Sequence, residues 1–155
     1  MRWQHSEFEI EARKRWMAIL AKAEPEALER SLRAHLPELP AYTLLRRPET
    51  GLVMVRGRAG GDGNPFNLGE MTVTRCSIRL ADGSVGHAYV AGRDARHAER
   101  AAILDALLQD AAYRDGLEER VIAPLERAQT IARSTASAKA AATKVDFFTL
   151  VRGDE

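Results

Sequence analysis

The sequence predicts an α+β fold, in which helices at both ends of the chain pack on a largely antiparallel sheet of hairpins. Three observations carry this prediction. Asp82-Gly83, a strong short-range signal for a two-residue hairpin turn, separates two runs of strand character. After Gly92 the apolar period changes from two to about 3.6 residues. Helical spacing recurs near both ends, and the regular strand–helix alternation of a parallel doubly wound sheet is absent.

Two helices are predicted before the sheet. The chain is expected to form one domain of 155 residues, with residues 1–7 frayed. The first helix begins near Phe8, and Pro25 suits the first turn of the second because its missing N–H is no loss there. Apolar residues recur at helical spacing in both helices: Trp16, Ile19, Leu20 and Ala23 in the first, and Leu28, Leu32 and Leu36 in the second.

Two strands are predicted next, at residues 42–46 and 52–58, around a turn at Pro48-Glu49-Thr50-Gly51. The second of these strands is apolar on both sides, which is typical of a central strand.

The segment that follows, residues 57–69, is the part of the chain richest in glycine. Gly60 and Gly61 permit positive φ and a close approach of the backbone to a ligand. The segment lacks the Gly-Lys-Ser/Thr of a Walker loop. We interpret it as a connection or an interaction loop, with a direct phosphate contact as the alternative.

The central stretch predicts a hairpin and a helix. Residues 71–80 and 84–91 are expected to pair in antiparallel fashion across Asp82-Gly83. A helix is expected from Asp94 to Gln109, with Asp94 as N-cap accepting from the backbone N–H of residue 96 or 97.

The C-terminal third is predicted to be mainly helical. A break is expected at residues 113–116, followed by a helix over residues 117–142 that Pro124 kinks or interrupts. A last strand is expected at residues 145–151.

Composition excludes several classes of protein. The net charge is +1, from 23 basic and 22 acidic residues, so no global attraction to nucleic acid or anionic lipid is expected. The single cysteine, Cys76, excludes an internal disulfide framework and is expected to be a small buried hydrophobe. No apolar run approaches the length of a membrane span, and the first residues do not form a secretory signal. A cytoplasmic location is therefore expected, without membrane attachment.

The candidate site lies at the start of the third predicted helix. His97-Ala98-Glu99 matches the H-x-E of zinc deaminases, but the downstream Pro-Cys-x-x-Cys is missing, so no metal site is expected. Arg93, His97 and Arg100 are spaced by four and three residues, with Arg96 alongside, and three guanidiniums near a helix start favour an anion. Because acidic residues stand within the cluster, we interpret it as forming salt bridges inside the protein or across an interface, with contact with a phosphorylated ligand as the alternative.

Five segments, in order, resemble one known family. They are RKRWMAIL at 13–20, ETGLVMVR at 49–56, GGDGNPFNLGE at 60–70, the stretch from VTRCSIRL to ILDAL at 73–107, and VDFFTLVRGD at 145–154. Together they resemble PhnG, a subunit of the bacterial carbon–phosphorus lyase core complex.

The resemblance implies a function within a complex. PhnG-type subunits act with PhnH, PhnI and PhnL to transfer ribose 5-triphosphate from ATP to an alkylphosphonate, releasing adenine, and PhnJ then cleaves the carbon–phosphorus bond. ATP is a substrate of the complex, and this chain alone is expected to bind no cofactor. Since the glycosyl transfer is attributed mainly to PhnI, this chain is not expected to be catalytic alone.

Two other functions stay open: a non-catalytic assembly scaffold, and a stand-alone enzyme that binds a phosphate ligand at the Arg93–Arg100 face. A subunit of an obligate complex is expected to expose apolar surface, and the candidates are Phe147-Phe148 and the loop around Phe66.

Overall fold

The computed structural model describes residues 7–143. The helices are α1 (Glu7–Ala21), α2 (Pro25–His35), α3 (Ala95–Leu108), α4 (Ala111–Leu117) and α5 (Ala123–Ala142). The strands are β1 (Tyr42–Arg58), β2 (Pro65–Leu80) and β3 (Val85–Ala91). This is the predicted α+β arrangement. The strand expected at residues 145–151 lies outside the described residues, as do residues 1–6 of the segment 1–7 that was expected to be frayed. Glu7, the last residue of that segment, is the first residue of α1.

The sheet is antiparallel with the order β1-β2-β3. The hairpin between β2 and β3 forms where predicted, but its loop has three residues, Ala81, Asp82 and Gly83, rather than the predicted two, because Leu80 and Ser84 form the closing pair. The N–H of Gly83 donates to the Leu80 carbonyl at 3.0 Å, and the N–H of Ser84 donates to Asp82 Oδ1 at 2.9 Å. Gly83 has a φ of 93°, which is the left-handed conformation that this turn needs and that glycine adopts without strain.

The first two predicted strands are one strand, and the turn predicted at residues 48–51 is wrong. β1 runs unbroken for 17 residues, with shifts of register between Leu44 and Arg46 and between Arg46 and Glu49. Within residues 7–143, β1 is an edge strand, so the prediction of a central strand is wrong for this part of the chain. The physical reason is that an edge strand tolerates Pro48, whose missing N–H need not complete a ladder on the open side.

The helix α3 covers one face of the sheet. Asp94 is its N-cap, and its Oδ1 accepts from the backbone N–H of His97 at 2.9 Å, as predicted. The approach to β3 is closest at Gly86, where a Cβ would lie 1.9 Å from the carbonyl oxygen of Ala102. Only glycine allows α3 to pack so near the strand.

The core lies between this sheet face and the N- and C-terminal helices. The apolar residues predicted to face inward from α1 and α2 are buried, except that Leu36 is only partly buried. The largest fully buried apolar side chains include Trp16, Leu20, Leu28, Ile78, Ile103, Leu104, Leu108 and Ile122.

The break predicted at residues 113–116 is also wrong, because α4 occupies these positions. The chain breaks earlier, at Asp110, whose carboxylate caps α4 by accepting from the N–H of Ala112 at 2.9 Å. Gly116 lies within this helical stretch, where glycine costs about 0.8–1.0 kcal/mol relative to alanine.

A π-helical turn, Glu118–Ile122, joins α4 to α5, immediately before Pro124. In an uninterrupted α-helix the Arg120 carbonyl would accept from the N–H of residue 124, which proline lacks. The hydroxyl of Ser31, in α2, donates to this carbonyl at 3.4 Å. The predicted interruption at Pro124 is therefore confirmed.

The side chain of Arg15 ties α1 to the C-terminal helices. Its Nη1 lies 2.9 Å from Glu118 Oε2, and its Nη2 lies 2.6 Å from Glu126 Oε2. Both hydrogen bonds raise the pKa of Arg15, and the one to Glu126 has the larger effect. Among residues 7–143, no helix combines the length and the apolar character needed to cross a membrane.

Candidate functional site

A groove of about 350 Å³ lies between α2 and the first turns of α3. We call it the arginine groove. Four arginines line it, Arg30 and Arg33 from α2 and Arg96 and Arg100 from α3. The other lining residues are Pro25, Glu26, Leu28, Glu29, Asp94 and His97. Four guanidiniums against three carboxylates leave the groove with an excess of positive charge.

Carboxylates within the groove pair with three of its arginines. Glu29 bridges the two helices, because its Oε2 lies 3.5 Å from Arg100 Nε and its Oε1 lies 3.4 Å from Arg33 Nε. Arg30 Nη1 lies 3.9 Å from Glu26 Oε2. Arg96 is exposed and forms no ion pair with any residue between 7 and 143. It is therefore the groove arginine that an incoming anion could bind without displacing a carboxylate.

The structure brings Arg96, His97 and Arg100 of the predicted cluster to the arginine groove and leaves Arg93 outside it. Arg93 is exposed. His97 is buried, with 6% of its surface exposed, and its Nε2 lies 2.7 Å from the Leu20 carbonyl of α1. Since a carbonyl only accepts, the ring donates there and fastens α1 to α3.

Sequence reasoning missed the contribution of α2 to the groove. A signal was present, because Glu26 and Glu29 each stand four residues before an arginine, Arg30 and Arg33, which is the spacing of helical ion pairs. What the spacing does not reveal is that this charged face of α2 lies opposite α3.

The two acidic residues inside the predicted cluster are both engaged. Asp94 accepts from the N–H of His97 as the N-cap, so that donor is not open to an anion. Glu99 accepts from the hydroxyl of Tyr42, at the start of β1, and this hydrogen bond raises the pKa of Tyr42. Glu99 thus joins the sheet to α3, and the H-x-E pattern has a structural explanation.

Gly60 and Gly61 lie in a 3₁₀ turn, Ala59–Gly61, at the tip of the β1–β2 hairpin, with φ values of 63° and 87°. Both residues are exposed. Arg58 Nη1 donates to the Gly63 carbonyl at 3.0 Å and closes the turn. The turn contributes no residue to the arginine groove, so the two sets of candidate residues do not form one site.

A second cluster of polar groups is buried, and sequence reasoning missed it. Asp105 has no exposed surface, yet its carboxylate accepts four hydrogen bonds. The donors are Arg13 Nε at 3.1 Å and Nη2 at 2.8 Å, Trp16 Nε1 at 2.9 Å, and the backbone N–H of His87 at 2.9 Å. The only signal was an acidic residue within the apolar run Ile103 to Leu108. This carboxylate joins α1, β3 and α3, and its contacts serve the fold.

Cys76 is buried, as predicted, and its Sγ donates to the Arg46 carbonyl at 3.5 Å. Burial raises the pKa of the Cys76 thiol to about 11. A thiol that stays protonated at neutral pH is a poor nucleophile. Cys76 is thus a packing residue in this chain.

Comparison with known proteins extends over nearly the whole chain. The family model of phosphonate metabolism protein PhnG matches residues 11–153. The chain belongs to the PhnG family. A PhnG relative from Rhizobium meliloti (strain 1021), named alpha-D-ribose 1-methylphosphonate 5-triphosphate synthase subunit PhnG, is 46% identical over 149 residues. That alignment covers 94% of this chain and 92% of the relative. The arginine groove and the glycine turn both lie inside the matched range of this PhnG-family chain.

Proposed function

We propose that this chain is a subunit of a synthase that makes alpha-D-ribose 1-methylphosphonate 5-triphosphate in phosphonate metabolism. The observation that carries the proposal is the 46% identity, over 94% of the chain, to a relative named as a subunit of that synthase. In this proposal the complex transfers ribose 5-triphosphate from ATP to an alkylphosphonate and releases adenine. Its other subunits are of the PhnH, PhnI and PhnL types, and a PhnJ-type subunit uses the product. ATP is a substrate, and this chain holds no cofactor of its own.

The arginine groove is the part of the chain best suited to meet such substrates. A triphosphate and a phosphonate are strongly anionic, and the planar fork of arginine can give a phosphoryl group two parallel, charge-assisted hydrogen bonds. Arg96 is exposed at the groove, and Arg100 lies deeper, with 21% of its side chain exposed. An anion that replaces Glu29 as the partner of Arg100 would keep that guanidinium paired.

The same contacts support a second role, that of an assembly scaffold without substrate contact. Glu29 already occupies Arg33 and Arg100, so these side chains serve first to hold α2 against α3. A stand-alone enzyme is less well supported, because Cys76 is buried with a raised pKa and His97 donates to a backbone carbonyl.

The experiment co-expresses this chain with PhnH-, PhnI- and PhnL-type subunits and measures adenine released from ATP in the presence of methylphosphonate. Arg96→Ala and Arg100→Ala are compared with Arg93→Ala, which removes a nearby exposed arginine outside the groove. If the groove binds substrate, the two groove variants assemble normally and release adenine at least about tenfold more slowly, equivalent to about 1.4 kcal/mol of transition-state binding. Arg93→Ala should retain the wild-type rate.

The other outcomes separate the alternatives. Adenine release that falls only in proportion to lost complex, on size-exclusion chromatography, supports the scaffold. Unchanged assembly and unchanged adenine release exclude substrate contact by the groove. If the complete wild-type complex releases no adenine, the proposed function itself is rejected.

A further inference from the structure

The hairpin of β1 and β2 extends well past the third strand. β3 pairs with β2 only from Val73 to Arg79, whereas β1 continues to pair with β2 as far as Arg58 and Pro65. We call residues 51–58 and 65–72 the distal ribbon. At about 3.4 Å per residue it is roughly 27 Å long. A two-stranded hairpin with no third strand or covering helix is at best marginally stable in water.

One face of the distal ribbon continues the face that α3 covers elsewhere. Thr50 pairs with the buried Thr74, and their hydroxyl oxygens lie 3.3 Å apart. Because side chains alternate along a strand, Leu52 and Met54 point to the same side as Thr50. No helix within residues 7–143 covers them, and they are 62% and 52% exposed.

The opposite face is apolar as well. Phe66 pairs with Gly57 and is 46% exposed. Leu68 is 61% exposed and lies over Gly57, where its Cδ1 would be 2.2 Å from a Cβ. Met71, which pairs with Val53, is 42% exposed. Large apolar side chains on both faces of one exposed ribbon mark a surface that is covered in an assembly. The exposure expected around Phe66 is confirmed, whereas Phe147 and Phe148 lie outside the described residues.

Charge indicates what kind of protein covers the ribbon. Residues 42–80, the whole hairpin, contain six arginines and three acidic residues, an excess of three positive charges in a chain whose net charge is +1. Glu49 forms ion pairs with Arg46 and Arg75. On the ribbon and its tip, Arg56 and Arg58 are balanced by Asp62 and Glu70, so the positive excess lies at the base of the hairpin. There Arg47 is exposed and has no ion pair in the described part of the chain. A second copy would bring the same positive hairpin and repel this one, whereas an acidic partner would attract it.

We propose that the distal ribbon inserts into an apolar cleft with an acidic rim on another subunit of the synthase. This inference rests on the proposed function, because it assumes that the chain is part of that complex. The surface area of the ribbon favours its insertion into a cleft over docking by one face. A ribbon about 27 Å long and about 10 Å wide offers roughly 270 Å² per face, whereas a stable interface takes about 800 Å² from each partner. Enclosure of both faces, the edges and the tip is needed to approach that area.

The test uses the chain co-expressed with PhnH-, PhnI- and PhnL-type subunits and recovered through a tag on the chain. One variant changes one face, Leu52→Ser with Met54→Ser, and a second changes the other, Phe66→Ser with Leu68→Ser. The control is Tyr113→Ser, which removes an apolar ring of similar exposure, 49%, from α4. Each face variant is expected to lower the recovered partner at least tenfold, whereas Tyr113→Ser recovers wild-type amounts. Thermal unfolding of the isolated variants should match that of the wild type, because these side chains lie outside the core.

Two further variants keep the inference falsifiable. Replacement of residues 53–71 by Asn-Gly, which joins Leu52 to Thr72 by a two-residue turn, removes the ribbon and should abolish recovery of the partner while the domain stays folded. Arg47→Glu should weaken association at low salt more than at high salt, since this charge lies at the base of the ribbon, where the rim of the cleft would contact it.

Several results would overturn the inference. Wild-type recovery with both face variants would exclude the ribbon as the contact, and loss with only one face would exclude insertion. A dimer of the isolated chain that becomes monomeric in the face variants would identify a second copy as the occupant. A complex that assembles through the ribbon but releases no adenine would reject the proposed function and leave this inference standing.

Discussion

Substitution of Asp105 by alanine tests the interpretation that a buried carboxylate organises the fold. The change removes the acceptor of all four hydrogen bonds that join Arg13, Trp16 and the backbone of His87. The guanidinium can turn toward water, because 34% of the Arg13 side chain is exposed. The indole N–H cannot, because Trp16 is only 2% exposed.

The magnitude follows from the donors left behind. A buried donor without a partner costs about 1–3 kcal/mol, and Asp105→Ala leaves two, the Trp16 indole and the His87 N–H. The sum with the lost charge pair is about 3–5 kcal/mol, the range for removal of one partner of a buried ion pair. That is a large fraction of the roughly 5–15 kcal/mol that stabilises a typical domain.

The assay is urea denaturation followed by far-UV circular dichroism. The control is Asp115→Ala, which removes an exposed carboxylate from α4 and should change the free energy of unfolding by no more than about 0.5 kcal/mol. Asp105→Asn keeps one acceptor oxygen and should fall between the wild type and Asp105→Ala. A loss below about 1 kcal/mol for Asp105→Ala would refute the reasoning.

Three further outcomes are expected. Gly86→Ala should lower the free energy of unfolding by about 3 kcal/mol, because α3 must move away from β3. Gly116→Ala, where a Cβ meets nothing within 4 Å, should be neutral or stabilise by up to about 1 kcal/mol. Equal effects of the two substitutions on urea denaturation would contradict this. Burial raises the pKa of Cys76 to about 11, above the ordinary value of about 8.5, so much less thiolate is present at pH 8. Ellman's reagent at pH 8 should therefore react on the order of 100-fold more slowly with the folded than with the unfolded chain. Hydrogen bonds from Arg15 lower the pKa of Glu126, so its stabilisation is complete above about pH 4.3 and is lost as the pH falls through the lowered value. Glu126→Gln should therefore lower the free energy of unfolding at pH 7 by less than about 1 kcal/mol and leave it unchanged near pH 2. An effect of equal size at both pH values would count against this ion pair.

Local signals predicted the parts of the fold that local interactions determine. Asp82-Gly83 makes its own turn, and Asp94 caps its own helix, so each can be recognised from a few neighbouring residues. Pro48 to Gly51 has the composition of a turn but pairs with β2 along a continuous strand. That outcome depends on a partner strand far along the chain, which composition does not reveal.

The candidate site shows the same limit. Spacing by four and three residues grouped Arg93, His97 and Arg100, with Arg96 alongside, and all of these except Arg93 line the groove. The same spacing included His97, although its companions at the next turns, Ala101 and Leu104, are core residues, and the imidazole faces inward with them. Arg30 belongs to the groove only because α2 crosses beside α3, and this contact is a property of the tertiary structure.

The hydrogen bond from Ser31 to the carbonyl of Arg120 makes the residue at position 31 depend on the residue at position 124. Pro124 removes the N–H that an α-helix would supply to that carbonyl, and Ser31 provides a hydroxyl in its place. Relatives with another residue at 124 regain the backbone donor, so selection on Ser31 should relax in them. Positions 31 and 124 are therefore expected to change together during evolution, although 92 positions separate them in the sequence.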